Sequence, residues 1–278
     1  MNKYIYTPTV GIFTSNEISR YYRRICENLK INNIVFYEFN QVNKNLDFYL
    51  FDHENQIESV NDYSNVIDSN LKDLKIDYNF SKLEIEKNYL CVICSRSKQG
   101  QAAIYPVSQI KVFRDSAIEV ISPALNLKDF EASQIQELAL KFIEKINFNG
   151  TCEIVFENST LRQINFLPTS LSKWTIENCV TDVFENHVRA VLNLPLGSTK
   201  LLQKQTVLVT IMGGNFPDLY KPFLHVMARE PEIKIELYDK EFKVGETLGH
   251  VSISGTKVED LLEKAHHVAD YFNGKVTE

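Results

Sequence analysis

No run of about 18 uncharged apolar residues occurs anywhere in the chain, so a membrane-spanning helix is not expected. The stretch Met1–Thr9 lacks the apolar core of a secretory leader, and a cytoplasmic location is the expectation. Basic residues are the minority: 30 Lys and Arg against 36 Asp and Glu leave a net charge of −6. That balance speaks against an extended nucleic-acid footprint, which needs a basic face to neutralise phosphates, though it leaves room for a local basic pocket. Cysteine is sparse, and Cys26, Cys91, Cys94, Cys152 and Cys179 are odd in number and dispersed, which fits reduced thiols rather than a disulfide framework. Cys91-Val92-Ile93-Cys94 has C-x-x-C spacing, but in a strand-like run residues three apart point to opposite faces, so buried thiols are expected. Glycine is scarce too, and residues 53–88 contain none.

What is present is the composition of a globular protein, 44% hydrophobic and 24% charged over 278 residues. Thr9–Thr14 reads as a buried strand, followed by a helix carrying Ile18, Tyr22, Ile25 and Leu29, then strands at Ile34–Glu38 and Leu46–Phe51. This βαβ opening predicts a small parallel sheet. Residues 53–88 read as loops and a short helix. From Tyr89 the pattern changes to paired strands, Tyr89–Arg96 and Gln101–Val107, around the turn Lys98-Gln99-Gly100. A strand at Ile118–Ser122 and an amphipathic helix at Glu131–Ile146 follow, then a hairpin, Thr151–Phe156 and Leu161–Phe166, about Asn158-Ser159. A helix is expected over Val180–Leu192, and strands at Thr206–Met212, Ile233–Tyr238 and Leu248–Ser254, with helices near Pro217–Arg229 and Lys257–Phe272. The organisation is α/β plus α+β: 1–52 a reduced Rossmann-like unit, 53–88 a linker or lobe remnant, 89–197 a central α+β unit, and 198–278 a C-terminal α/β unit.

Three segments carry a resemblance. They are Ile104-Tyr105-Pro106-Val107 with Ser122-Pro123-Ala124; Trp174 to Thr181 with Phe184 to Val191 and Leu194-Pro195-Leu196-Gly197; and Leu237-Tyr238-Asp239-Lys240-Glu241 with Gly249-His250-Val251. Over roughly residues 89–255 their order and spacing resemble carboxyaminoimidazole ribonucleotide synthetase, an ATP-grasp enzyme of purine biosynthesis. The resemblance implies an ATP-grasp-like platform, a Rossmann-like N-terminal unit and a nucleotide-clamping lobe. It implies carboxylation of aminoimidazole ribonucleotide with ATP and bicarbonate, magnesium as the ion, and a homodimer. Tyr105 and Lys240 match positions that contact the imidazole ribonucleotide.

The departures fall where charge chemistry needs particular groups. Gathering ATP and bicarbonate requires metal-holding carboxylates and basic groups to offset the anions. The family's Gly-rich flap has no counterpart in the glycine-free 53–88, and Gln99-Gly100-Gln101 reads as a hairpin turn. The Asn-Glu pair that would hold magnesium falls on Arg162 and Gln163, and an earlier Glu falls near Val155, with Glu153 close by. Glu153 itself reads as a solvent-facing strand residue unless the hairpin is re-registered. The family's Arg and two His before Trp174 are replaced within Leu167–Lys173, and a Gly-Arg-Lys phosphate contact reads Gly245-Glu246-Thr247, where Glu246 would repel a phosphate. Lys111, Arg114 and Lys173 could rebuild an anion site, although each reads first as a solvated surface charge. His187 reads as a structural histidine. The expectation is a degenerate homologue without use of ATP or magnesium, binding a small anionic ligand or a protein partner as a homodimer or in complex with a purine enzyme. The alternative is an active ligase holding its metal through Glu153, Glu157 or Glu177.

Overall fold

The computed structural model describes residues 9–13, 16–29, 33–36, 48–51, 72–80, 82–113, 118–216, 218–238 and 243–276. Strands β1 (Thr9–Phe13), β2 (Asn33–Phe36) and β3 (Phe48–Phe51) form a parallel sheet in the order β2-β1-β3, with helix α1 (Asn16–Asn28) as its crossover. This is the expected βαβ opening.

The remaining strands build one nine-stranded antiparallel sheet: β4 (Asn88–Arg96), β5 (Ala102–Ile104), β6 (Ser108–Val112), β7 (Ile118–Ser122), β8 (Gly150–Glu157), β9 (Thr160–Asn165), β10 (Gln205–Met212), β11 (Lys234–Leu237) and β12 (Thr247–Gly255). Its order is β11-β12-β10-β7-β6-β4-β8-β9, with β5 on β4. Tyr105 donates its backbone N–H to the carbonyl of Ile93, and Pro106, which has no N–H to give, ends that run. The strand expected to continue to Val107 therefore stops at Ile104. A second short strand, β6, takes over the other half of the same β4 edge and pairs with Asn88–Cys91.

Helices α2 (Asp129–Lys145), α3 (Trp174–Asn178), α4 (Val183–Val191), α5 (Tyr220–Arg229) and α6 (Val258–Asn273) cover the sheet. The expected helix over Val180–Leu192 begins later, at Val183, and a separate short helix, α3, precedes it. Cys179 is extended, Val180 donates to the carbonyl of Lys200, and Asp182 caps α4 by accepting from the Glu185 N–H at 2.9 Å.

Alternation along the central strands sorts the core onto two faces. Cys91, Ile93 and Val155 pack with Tyr22, Trp174, Phe184 and Val188 on one side. Val92, Cys94, Ile154 and Phe156 pack with Ala139, Phe142 and Ile143 of α2 on the other. A β4 strand buried on both faces reads as the near-continuous apolar run that the sequence shows. Each fully buried side chain of this kind contributes about 1.5–3 kcal/mol. Cys91 and Cys94 do face opposite sides, and burial pushes the Cys91 thiol well above its ordinary range.

Candidate functional site

The β8–β9 register assembles the positions at which the resemblance places a metal. Glu153 stands opposite Asn165 and Val155 opposite Gln163, so all four lie on one face. Glu153 is not solvent-facing: it is 0% exposed and points into the protein. The Thr169 N–H donates to its Oε1 at 2.7 Å, and Thr169 Oγ1 and Asn165 Nδ2 donate to Oε2 at 2.6 and 2.9 Å. Gln163 Nε2 donates to Asn165 Oδ1 at 2.7 Å, which completes a chain from the amide to the carboxylate. Burial raises the Glu153 carboxyl, opposed by hydrogen bonds from Ser172, Thr169 and Asn165. Val155 is buried apolar core.

Arg162 faces the other way, into an ionic group with Glu157 at 3.4 Å and Glu84 at 3.6 Å, where Lys87 also bridges Glu157 at 2.9 Å and Glu84 at 3.0 Å. Glu157 lies four residues from Glu153, about 13 Å along a strand, too far to share one ion. Glu177 is exposed on α3. Among the described residues no group of three or more His, Cys, Asp or Glu side chains is placed to hold a metal. The donor set gathered here is one carboxylate, already saturated, with two amides and a valine. It does not match the oxygen-rich, charge-neutralising shell that magnesium takes.

Tyr105 is likewise enclosed, at 0% exposure. Its hydroxyl donates to the Thr181 carbonyl at 3.1 Å and accepts from Asn186 Nδ2 at 2.8 Å, while the ring meets Trp174 edge-on. Burial pushes the hydroxyl well above its usual range, outweighing the Asn186 contact. His187, one residue along α4, is buried and accepts the Thr151 N–H on Nδ1 at 3.0 Å; burial lowers it to about 3. It is a neutral structural histidine, as its helix position suggested.

Sequence reasoning missed the most charged interior feature. Lys173, read there as a solvated charge, is buried at the start of α3. Its ammonium sits 3.4 Å from Glu236 on β11 and 4.0 Å from the centre of the Tyr238 ring. Glu236 also receives Arg20 and the Tyr21 hydroxyl from α1, and His250 Nε2 lies 3.8 Å away. Tyr238 Oη meets His250 Nδ1 at 3.3 Å. Burial would raise Glu236, but Lys173, His250, Tyr21 and Arg20 together hold it below the usual carboxylate range. Burial lowers His250 to about 4 against the opposing pull of Glu236. The cavity beside this cluster, lined by Lys173, Glu177, Lys234, Glu236, His250 and Ser252, measures about 30 Å³. That is room for a water or so and far below the roughly 300–1,000 Å³ of a small-molecule site.

Lys111 pairs with Glu86 at 3.3 Å and lies over the Phe113 ring, away from an anion-site role. Glu246 is exposed in the turn before β12, near Lys243 at 3.9 Å. Lys240 and Arg114 lie outside the described residues.

No family profile matches the chain. Among curated proteins it is similar to N5-carboxyaminoimidazole ribonucleotide synthase of Mycobacterium tuberculosis H37Rv, 30% identical over 192 residues, covering 66% of this chain and 45% of that protein. The same enzyme of Mycobacterium leprae is 33% identical over 179 residues, covering 60% and 40%, and that of Aquifex aeolicus 27% identical over 200 residues, covering 70% and 52%. The chain thus spans about half the length of the curated relatives it matches. Among solved structures, the N5-carboxyaminoimidazole ribonucleotide synthetase of Thermus thermophilus superposes with a TM-score of 0.77 at 16% identity, covering 97% of this chain and 100% of that one. The Aspergillus clavatus synthase in complex with ADP and 5-aminoimidazole ribonucleotide gives 0.78 at 18% identity, covering 97% and 99%. These establish the shared fold.

Proposed function

We propose that this chain, a shortened relative of the N5-carboxyaminoimidazole ribonucleotide synthases of purine biosynthesis, does not drive an ATP-dependent carboxylation and serves instead as a ligand- or partner-binding homologue. The observation that carries the reading is Glu153. The one carboxylate on the face where the relatives' magnesium is expected spends both oxygens on Thr169 and Asn165 inside the protein. Phosphoryl transfer is almost wholly positioning and charge stabilisation, so a site without free carboxylates lacks what the step requires. The Lys173–Glu236 cluster supports the same reading, because a side-chain carboxylate takes the place an anionic ligand would need beside a buried ammonium.

Partner binding draws support from α5. Tyr220, Leu224 and Met227 recur on one face of that helix at 70%, 55% and 51% exposure, the spacing of an interface stripe. A homodimer or a complex with a purine enzyme would cover it, and light scattering of the purified chain, alone and mixed with such an enzyme, reads this directly.

The catalytic alternative keeps one point in its favour, that Glu153 lies on the same strand face as the expected metal position. Phosphate release is measured with ATP, bicarbonate and aminoimidazole ribonucleotide, each omitted in turn. The proposal expects no release above blank. Turnover that needs all three substrates would replace it with the ligase reading.

A further inference from the structure

Away from these sites, α5 and α6 bring two histidines face to face. His225 Nε2 lies 3.2 Å from His267 Nε2, with the ring centres 5.4 Å apart. Both residues are half-buried, within reach of small solutes. The His225 ring is stacked on Tyr271, centroids 3.9 Å apart at 7°. Tyr271 follows His267 by one helical turn, so α6 fixes both the second imidazole and the plane of the first.

Two imidazole nitrogens bound to one tetrahedral ion at 2.0–2.1 Å lie about 3.3 Å apart. The pair already holds that separation, with both Nε2 atoms converging from different helices. We propose that His225 and His267 form a two-histidine site for a divalent ion of the zinc class, and that the bound ion ties α5 to α6. Neutral imidazole is a preferred ligand for zinc, copper and nickel. Among the described residues the stronger competitors are withdrawn: all five thiols are buried, and so are His187 and His250. His266 is taken up by Glu119 at 2.5 Å. No third His, Cys, Asp or Glu joins the pair among the described residues. A hydrogen bond between two neutral rings would give the same separation, and metal titration separates the two.

The test is calorimetric titration of zinc ion alone into the full chain at pH 7.5 in a non-coordinating buffer. One ion per chain with a dissociation constant in the micromolar range is expected, weakened by about tenfold or more in both His225→Gln and His267→Gln. Copper(II) stands above zinc in affinity for such ligands, so electron paramagnetic resonance of the copper-loaded unaltered chain gives a second reading that no variant's folding can confuse. Coupling to two imidazole nitrogens supports the site. Absence of saturable binding, binding by the variants as tight as that of the unaltered chain, or a copper signal without paired nitrogen coupling overturns it.

Discussion

At Glu153 three donors converge on a carboxylate with no exposure to solvent, so its removal strands the Thr169 N–H, the Thr169 hydroxyl and the Asn165 amide. Unsatisfied buried donors cost about 1–3 kcal/mol each, partly recovered by relaxation. Glu153→Ala is therefore expected to destabilise by about 3 kcal/mol in urea unfolding, and Glu153→Gln by less, because the amide still accepts on one atom. If Glu153 were an open metal ligand instead, Ala would be nearly neutral for stability, and magnesium would protect the parent alone. His187 is the second such residue. With its pKa lowered to about 3 in the fold, and that of His250 to about 4, the unfolded chain takes up protons below pH 6.5 that the folded chain refuses. Stability held above pH 6.5 is thus lost as pH falls, by about 2 kcal/mol for each histidine at pH 5. Glu153, whose carboxyl is raised, works in the opposite sense near the carboxylate range. The Tm is expected to drop between pH 7 and 5, with a shallower slope in a folded His187→Gln variant; a flat profile for the parent would contradict the buried neutral histidines.

Among the elements, α1 is joined to β11 through Arg20, Tyr21 and Glu236, and α3 enters the same cluster through Lys173. Removing one member of a buried charged group leaves its partner uncompensated, at about 3–5 kcal/mol. Glu236→Gln should destabilise by roughly that amount, discounted because Arg20 is part-exposed and can turn to water. It should also raise hydrogen exchange along α1 more than along α2, which has no link to the cluster. Equal exchange in both helices would mean that the cluster does not secure α1. None of this was legible in the sequence, for Arg20 and Glu236 are 216 positions apart and neither carries a local signal. Periodic elements were legible: the α2 amphipathic face and the hairpin about Asn158-Ser159 lie where expected, Asn158 adopting the left-handed φ of 54° that a tight turn asks of it. β6 was missed because its pairing partner is the far half of a strand already assigned to β5. The late start of α4 was missed because the expected helix runs across Asp182, which is its cap.

Across the whole molecule, the fold shared with the solved structures is present, and within it Glu153, Asn165 and Gln163 satisfy one another. The resemblance of residues 89–255 made the fold visible in advance. It could not show that Gln163, Asn165 and Glu153 link into one hydrogen-bonded chain, since Asn165 matches no family motif and its role comes from strand register alone. Nor could it show that Tyr105 is sealed by Asn186 and Thr181. Both follow from packing, which fixes side-chain partners that spacing leaves open. The measurement that bears most directly on this account is calorimetric titration of ATP with magnesium into the full chain. The account predicts no saturable heat into the millimolar range, with or without the metal. A magnesium-dependent dissociation constant in the micromolar range, abolished by Glu153→Gln, would contradict it.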